Sequence, residues 1–189
     1  MQANAFAIAG PLELVPDRFE DARGYFTETF NQPRLQAHGV LETSWPQDNQ
    51  SLSVNAFTLR GMHFQLPPFG QAKIVRVLRG RIFDCVVDLR SASPSFGKWL
   101  GVELTAEKAN QLYVPVGFAH GFLTLEPQCL VAYKVSSLYS KPHDRSLHWA
   151  DPAVSIAWPL PPGQKPVLSE KDEAAPSLAT LRSGLEAFA

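Results

Sequence analysis

Gln111-Leu112-Tyr113-Val114-Pro115-Val116-Gly117-Phe118-Ala119-His120-Gly121 reads as a strand, a tight turn and a second strand. Proline and glycine supply the turn, because one presets φ and the other tolerates the sharp bend. The same grammar runs outward from about Phe57 to Val135, where short alternating segments are punctuated by Gly and Pro. In Ile82–Leu89, Phe83, Cys85, Val87 and Leu89 form one face while Asp84 and Asp88 fall on the other. Cys129, Val131, Tyr133 and Val135 also share a face, so Tyr133 is predicted to point inward with its apolar neighbours. Short strands at this spacing predict an all-β sandwich or barrel of jelly-roll type.

Around that core the chain holds few helical patterns. Residues 31–39 predict a helical turn, and Leu178, Leu181 and Leu185 suit a short helix within 177–187. The 16 prolines fit ordered turns better than long helices. A single domain of 1–189 is expected, with its jelly-roll core at about 45–160 and a helical tail from about 170.

Composition narrows the function. The 189 residues are 19% charged with a formal net charge of -1, so no basic field exists to hold a nucleic acid or an anionic membrane. Phosphate recognition must therefore be local. A chain of this length buries roughly 70% of its unfolded surface and needs no disulfide or metal to fold. Cys85 and Cys129 lie in apolar runs and read as small hydrophobic side chains. No basic stretch followed by an apolar core opens the chain, and no run of about eighteen apolar residues occurs, so a cytoplasmic location is expected.

The spacing P-x-G-x-x-H from Pro115 to His120 resembles the second motif of the cupin jelly rolls, which implies an imidazole at the barrel mouth. Where metal-binding cupins carry His-x-His and then Glu, this chain has His63-Phe64-Gln65 and Lys73. A divalent ion needs neutral imidazoles and carboxylate, whereas an ammonium beside two histidines repels it. The pocket is expected to be electropositive and to need neither metal nor other cofactor.

From about Phe19 to Leu178 the chain resembles the dTDP-4-dehydrorhamnose 3,5-epimerases. The resemblance rests on Asp21–Glu28, Gln47–Ser51, Leu59–Gln65, Gln71–Lys73, Val87–Arg90, Gly117–Phe122, Tyr133-Lys134, Trp149–Pro152 and Leu168–Asp172, all in the same order. It implies inversion of both carbons that flank a ketone of a sugar nucleotide. Such a ketone acidifies the neighbouring hydrogens, and inversion needs a base on one face, an acid on the other and charge stabilisation at the oxygen.

By the same resemblance His63 is the base and Asp172 the carboxylate that fixes its tautomer, Tyr133 is the acid, and Lys73 and His120 stabilise the enolate oxygen. Arg23, Glu28, Gln47, Asn49, Arg60 and Lys171 would hold the nucleotide, its diphosphate and the sugar, with Phe19 and Phe26 against the thymine and Tyr139 as a further substrate-binding residue. Asp144 stands where many relatives carry glutamate and implies a weaker or water-mediated substrate contact. A homodimer is implied too, with the N-terminal segment crossing to the partner. Gly61 adds an expectation from backbone chemistry: a bulge there would turn Arg60 and His63 towards one pocket. The competing readings are an epimerase of C3 alone or C5 alone, a metal-dependent cupin with His63 and His120 as ligands, and a sugar-binding cupin without turnover.

Overall fold

Period-two alternation along the strands resolves into two stacked sheets, seen in a computed structural model that describes residues 1–188. The six-stranded sheet has the order β1 (Gln2–Ala5), β2 (Leu12–Val15), β10 (Gln111–Val114), β7 (Lys73–Arg79), β12 (Cys129–Val135), β5 (Gln47–Ser53). The five-stranded sheet runs β13 (Asp144–Ser146), β6 (Leu59–Gln65), β11 (Phe118–Thr124), β8 (Arg81–Asp88), β9 (Trp99–Thr105). A separate two-stranded hairpin joins β3 (Arg18–Asp21) to β4 (Gly24–Thr27). This is the expected jelly-roll architecture, completed by β1 and β2 from ahead of residue 45.

The turn after β10 forms as its residues dictate, with Gly117 at a φ of 91°. Val75, Val77, Ile82, Val86, Leu112, Phe122 and Val131 fill the space between the sheets. The outer face of the five-stranded sheet is covered as well. There Met62, Phe64, Cys85, Val87 and Leu89 pack under Leu147, Val154, Leu178, Leu185 and Phe188. Strand β8 is thus buried on both faces, and the face that carries Asp84 is the barrel interior rather than solvent. Helix α1 (Gln32–Ala37) meets the prediction for residues 31–39, and α3 (Leu178–Leu181) with a 3-10 segment (Arg182–Phe188) meets that for the tail.

The expected bulge is present. In the β6–β11 register His63 faces His120 and Arg60 faces Phe122, so Gly61 and Met62 together oppose Gly121. Only glycines allow it. A Cβ on Gly61, whose φ is 132°, would stand 2.5 Å from Gly121 Cα. One on Gly121 would meet Met62 Sδ at 2.7 Å and the Arg60 carbonyl oxygen at 2.8 Å. The extra residue turns Arg60 and His63 towards the same cavity, although Arg60 remains exposed at its rim.

Gly121→Ala is therefore expected to overpack the junction, costing about 1–3 kcal/mol and lowering Tm by several degrees. Urea and thermal unfolding measure it; an unchanged Tm would show that the two strands are not held at glycine contact distance.

Candidate active site

The cavity that the bulge serves has a volume of about 400 Å³ and lies between the two sheets. His63 enters from β6 in one sheet and Tyr133 from β12 in the other, so the two side chains stand on opposing walls. Lys73 comes from the first residue of β7 and His120 from β11, while Arg60, Lys171 and Asp172 add further charged groups to the lining.

Asp172 arrives from far along the chain. It belongs to α2 (Glu170–Glu173), and its Oδ1 lies 2.6 Å from His63 Nε2, across 109 residues of sequence. An ionised carboxylate only accepts, so the ring donates through Nε2–H and keeps a bare Nδ1. Burial works against the Asp172 charge, yet the hydrogen bonds from His63 and Ser169 outweigh it and hold the carboxyl below its usual range. Nδ1 of His63 is thus the nitrogen free to take a proton.

A second pair stands beside the first. His120 Nε2 lies 2.5 Å from Asp84 Oδ1, and both side chains are buried. Burial lowers the His120 pKa against the opposing pull of Asp84, which favours the neutral ring. A neutral ring that gives Nε2–H to Asp84 has no proton on Nδ1, so the donor role expected at the enolate oxygen requires the charged ring, which Asp84 favours and burial opposes. Asp84 was not picked out from sequence, and the signal was its parity with Ile82 and Val86, which share the interior face.

Lys73 is the cation of the cavity. Only 7% of it is exposed, and Nζ donates to the His63 carbonyl oxygen at 3.3 Å. Burial brings its pKa down to about 8, with Asp84 and Asp144 opposing the shift, so it is charged at neutral pH. Tyr133 moves the other way: burial raises its pKa against the Arg60 charge, which keeps the phenol protonated. The donor set does not suit a divalent metal. Gln65 is bonded to Phe69 O, Leu138 O and Ser140 N, the Lys73 ammonium shares the lining with both imidazoles, and among the described residues no three His, Cys, Asp or Glu are grouped to hold an ion.

The other expected residues divide into two groups. Gln47 Nε2 donates to Asn49 Oδ1 at 2.8 Å, and Asn49 pairs with Tyr133 in the β5–β12 register. Gln47 also accepts from Tyr139 N, while Asp144 accepts from Lys171 Nζ at 2.5 Å and from the Tyr139 hydroxyl at 3.3 Å. Of these five residues only Lys171 lines the cavity, and the other four are tied to it or to its Tyr133 wall by these bonds and by strand pairing. Phe19, Arg23, Phe26 and Glu28 do not line the cavity of their own chain. Arg23 pairs with Asp21, Glu28 is bonded to Asn31 and Arg34, and Phe19 and Phe26 are 61% and 69% exposed.

Comparison with known proteins agrees with this geometry. Residues 5–180 match the family model of dTDP-4-dehydrorhamnose 3,5-epimerase. The dTDP-4-dehydrorhamnose 3,5-epimerase of Sinorhizobium fredii is 47% identical over 181 residues, covering 96% of this chain and 91% of the relative. The Bacillus anthracis enzyme of that name, solved with TDP and PPi bound, is 44% identical with a TM-score of 0.89, covering 94% of this chain and 99% of that one. A 3'-monoepimerase from Streptomyces bikiniensis is 34% identical with a TM-score of 0.88, covering 96% of this chain and 90% of that one. It was solved with dTDP as a double mutant, histidine to asparagine and tyrosine to phenylalanine. The chain belongs to the dTDP-4-dehydrorhamnose 3,5-epimerase family.

Proposed function

We propose that this protein epimerises C3 and C5 of dTDP-4-dehydro-6-deoxy-D-glucose to give dTDP-4-dehydro-L-rhamnose, a step of dTDP-L-rhamnose biosynthesis. The observation that carries the proposal is the placement of His63 and Tyr133 on opposing walls of one cavity, with Lys73 in the lining from the strand beside Tyr133. The histidine and tyrosine replaced in the Streptomyces bikiniensis protein are as far apart in sequence as His63 and Tyr133.

The chemistry follows from these groups. Nδ1 of His63 removes a hydrogen beside the C4 ketone, and Asp172 stabilises the imidazolium that forms. Charge moves onto the ketone oxygen, where the Lys73 ammonium in its low-dielectric site opposes it. Tyr133, held protonated, returns a proton to the opposite face and the carbon inverts. A second round at the other flanking carbon completes the reaction. Arg60 and Lys171 at the rim suit the diphosphate, and Gln47, Asn49 and Tyr139 suit the sugar and base.

The working unit on this reading is a homodimer of a single-domain chain in the cytoplasm. The hairpin of β3 and β4 leaves Phe19, Tyr25 and Phe26 exposed. Such a surface is suited to a second copy, whose cavity would then gain Phe19, Arg23, Phe26 and Glu28. Among the described residues no helix is long and apolar enough to cross a membrane. Inversion at C3 alone is the second reading, favoured by the likeness to a 3'-monoepimerase.

Incubation of the 4-keto sugar nucleotide with the protein in deuterium oxide, read by NMR, should place deuterium at both C3 and C5. Label at C3 alone would establish the single inversion instead. His63→Ala and Tyr133→Phe are each expected to lower turnover by ~10²-fold or more, and near-normal rates in both would refute the assignment. The Lys73 pKa of about 8 sets the alkaline limb: kcat/KM falls as pH rises through that value, because the neutral amine no longer opposes the enolate charge. Lys73→Met should remove the limb and lower the rate about 10²-fold; a limb that persists in the variant would assign it to another group.

A further inference from the structure

Asp172 holds the base in one tautomer from a helix of four residues, Glu170–Glu173. A helix that short cannot hold itself, since its nucleus fixes several dihedrals for very few hydrogen bonds. Its position must come from its attachments: the Asp172 carboxylate is bonded by His63, the Ser169 hydroxyl and the Gly61 backbone, and three contacts hold the segment around it.

The first lies upstream, where Val167 N donates to Phe57 O at 2.8 Å and Leu59 N donates to Val167 O at 2.9 Å. These bonds stitch the segment to the start of β6, yet several residues with free dihedrals follow before Asp172. The second is the ion pair of Lys171 with Asp144. The Lys171 side chain is more than half exposed, and a pair so open to solvent fixes geometry weakly. The third is Ser169 at the N-cap. Its backbone is extended, at φ -82° and ψ 158°, where the chain turns into the helix. Its Oγ accepts from Asp172 N at 3.2 Å, and its carbonyl oxygen accepts from the same N–H at 3.1 Å. The residue that is capped is thus the residue that meets His63.

We propose that Ser169 is a positioning residue for proton transfer: by capping α2 through the Asp172 amide it fixes the Asp172 carboxylate against His63 Nε2 and keeps Nδ1 bare towards the sugar. Ser169 lines the cavity beside Asp172 but supplies no charge to the reaction. The inference rests on the function proposed above and adds a residue with no role in it.

Ser169→Ala removes the cap, while Ser169→Thr and Ser169→Asn retain an acceptor at the same place. In Ser169→Ala, kcat should fall roughly 10- to 100-fold, as for supporting groups that orient a reacting imidazole. Affinity for thymidine diphosphate, measured by calorimetry, should stay within about twofold, since the nucleotide does not depend on the dyad. Threonine and asparagine should each restore most of the rate. In an Asp172→Asn background, Ser169→Ala should have little further effect, because the two act through one contact.

A readout independent of turnover is the nitrogen-15 shift pair of the His63 ring. The wild type should show a protonated Nε2 and a bare Nδ1, and Ser169→Ala should show mixed tautomers while keeping its fold by circular dichroism. An unchanged tautomer, or a loss of rate that adds fully to that of Asp172→Asn, would overturn the role of Ser169. A wild type that binds thymidine diphosphate and shows the single tautomer but exchanges no sugar hydrogen would instead defeat the proposed function.

Discussion

Two glycine backbones in contact set the geometry of this protein. Gly61 and Gly121 approach so closely that neither tolerates a Cβ, and β6 takes an extra residue against β11 at that point. Regular pairing would send Arg60 and His63 to opposite faces of the sheet. The bulge gives both to one cavity, so that a guanidinium and an imidazole three residues apart line it from a single strand.

The electrostatics of the cavity rest on a buried ammonium held between two histidine–aspartate pairs. An isolated ammonium in such a place would lose its proton readily, and burial does pull Lys73 well down. Asp84 and Asp144 restrain the fall, so the charge survives at neutral pH. Each carboxylate thus has its own task. Asp172 bonds His63, Asp84 bonds His120, and Asp144 ties together Lys171 and Tyr139. The cation that would expel a metal from this type of barrel is, on the proposed reaction, the group that opposes the charge of the enolate oxygen.

Much of this was legible in the residues. Alternation gave the strands and the inward Tyr133, the Pro-Gly turn before His120 gave the local topology, and Gly61 gave the bulge. Asp84 was missed for a physical reason: β8 is buried on both faces, so period-two alternation cannot say which face is the barrel interior. Which His120 nitrogen meets a carboxylate was equally hidden, because it depends on a neighbour, and that neighbour is Asp84. The contact between Asp172 and His63 spans 109 residues and no local pattern announces it; only resemblance did. Phe19, Arg23, Phe26 and Glu28 lie away from the cavity of their own chain, and only the resemblance connected them with it.

The central claim is a sugar ring held between a base and an acid that come from different sheets. Its most direct measurement is a crystal structure of the protein with a thymidine diphosphate-linked sugar bound. The account predicts His63 Nδ1 within about 3–3.5 Å of a ring carbon beside C4, with the Tyr133 hydroxyl over the opposite face and Lys73 directed at the C4 oxygen. A sugar lying outside the cavity, or with both side chains on the same face of its ring, would contradict it.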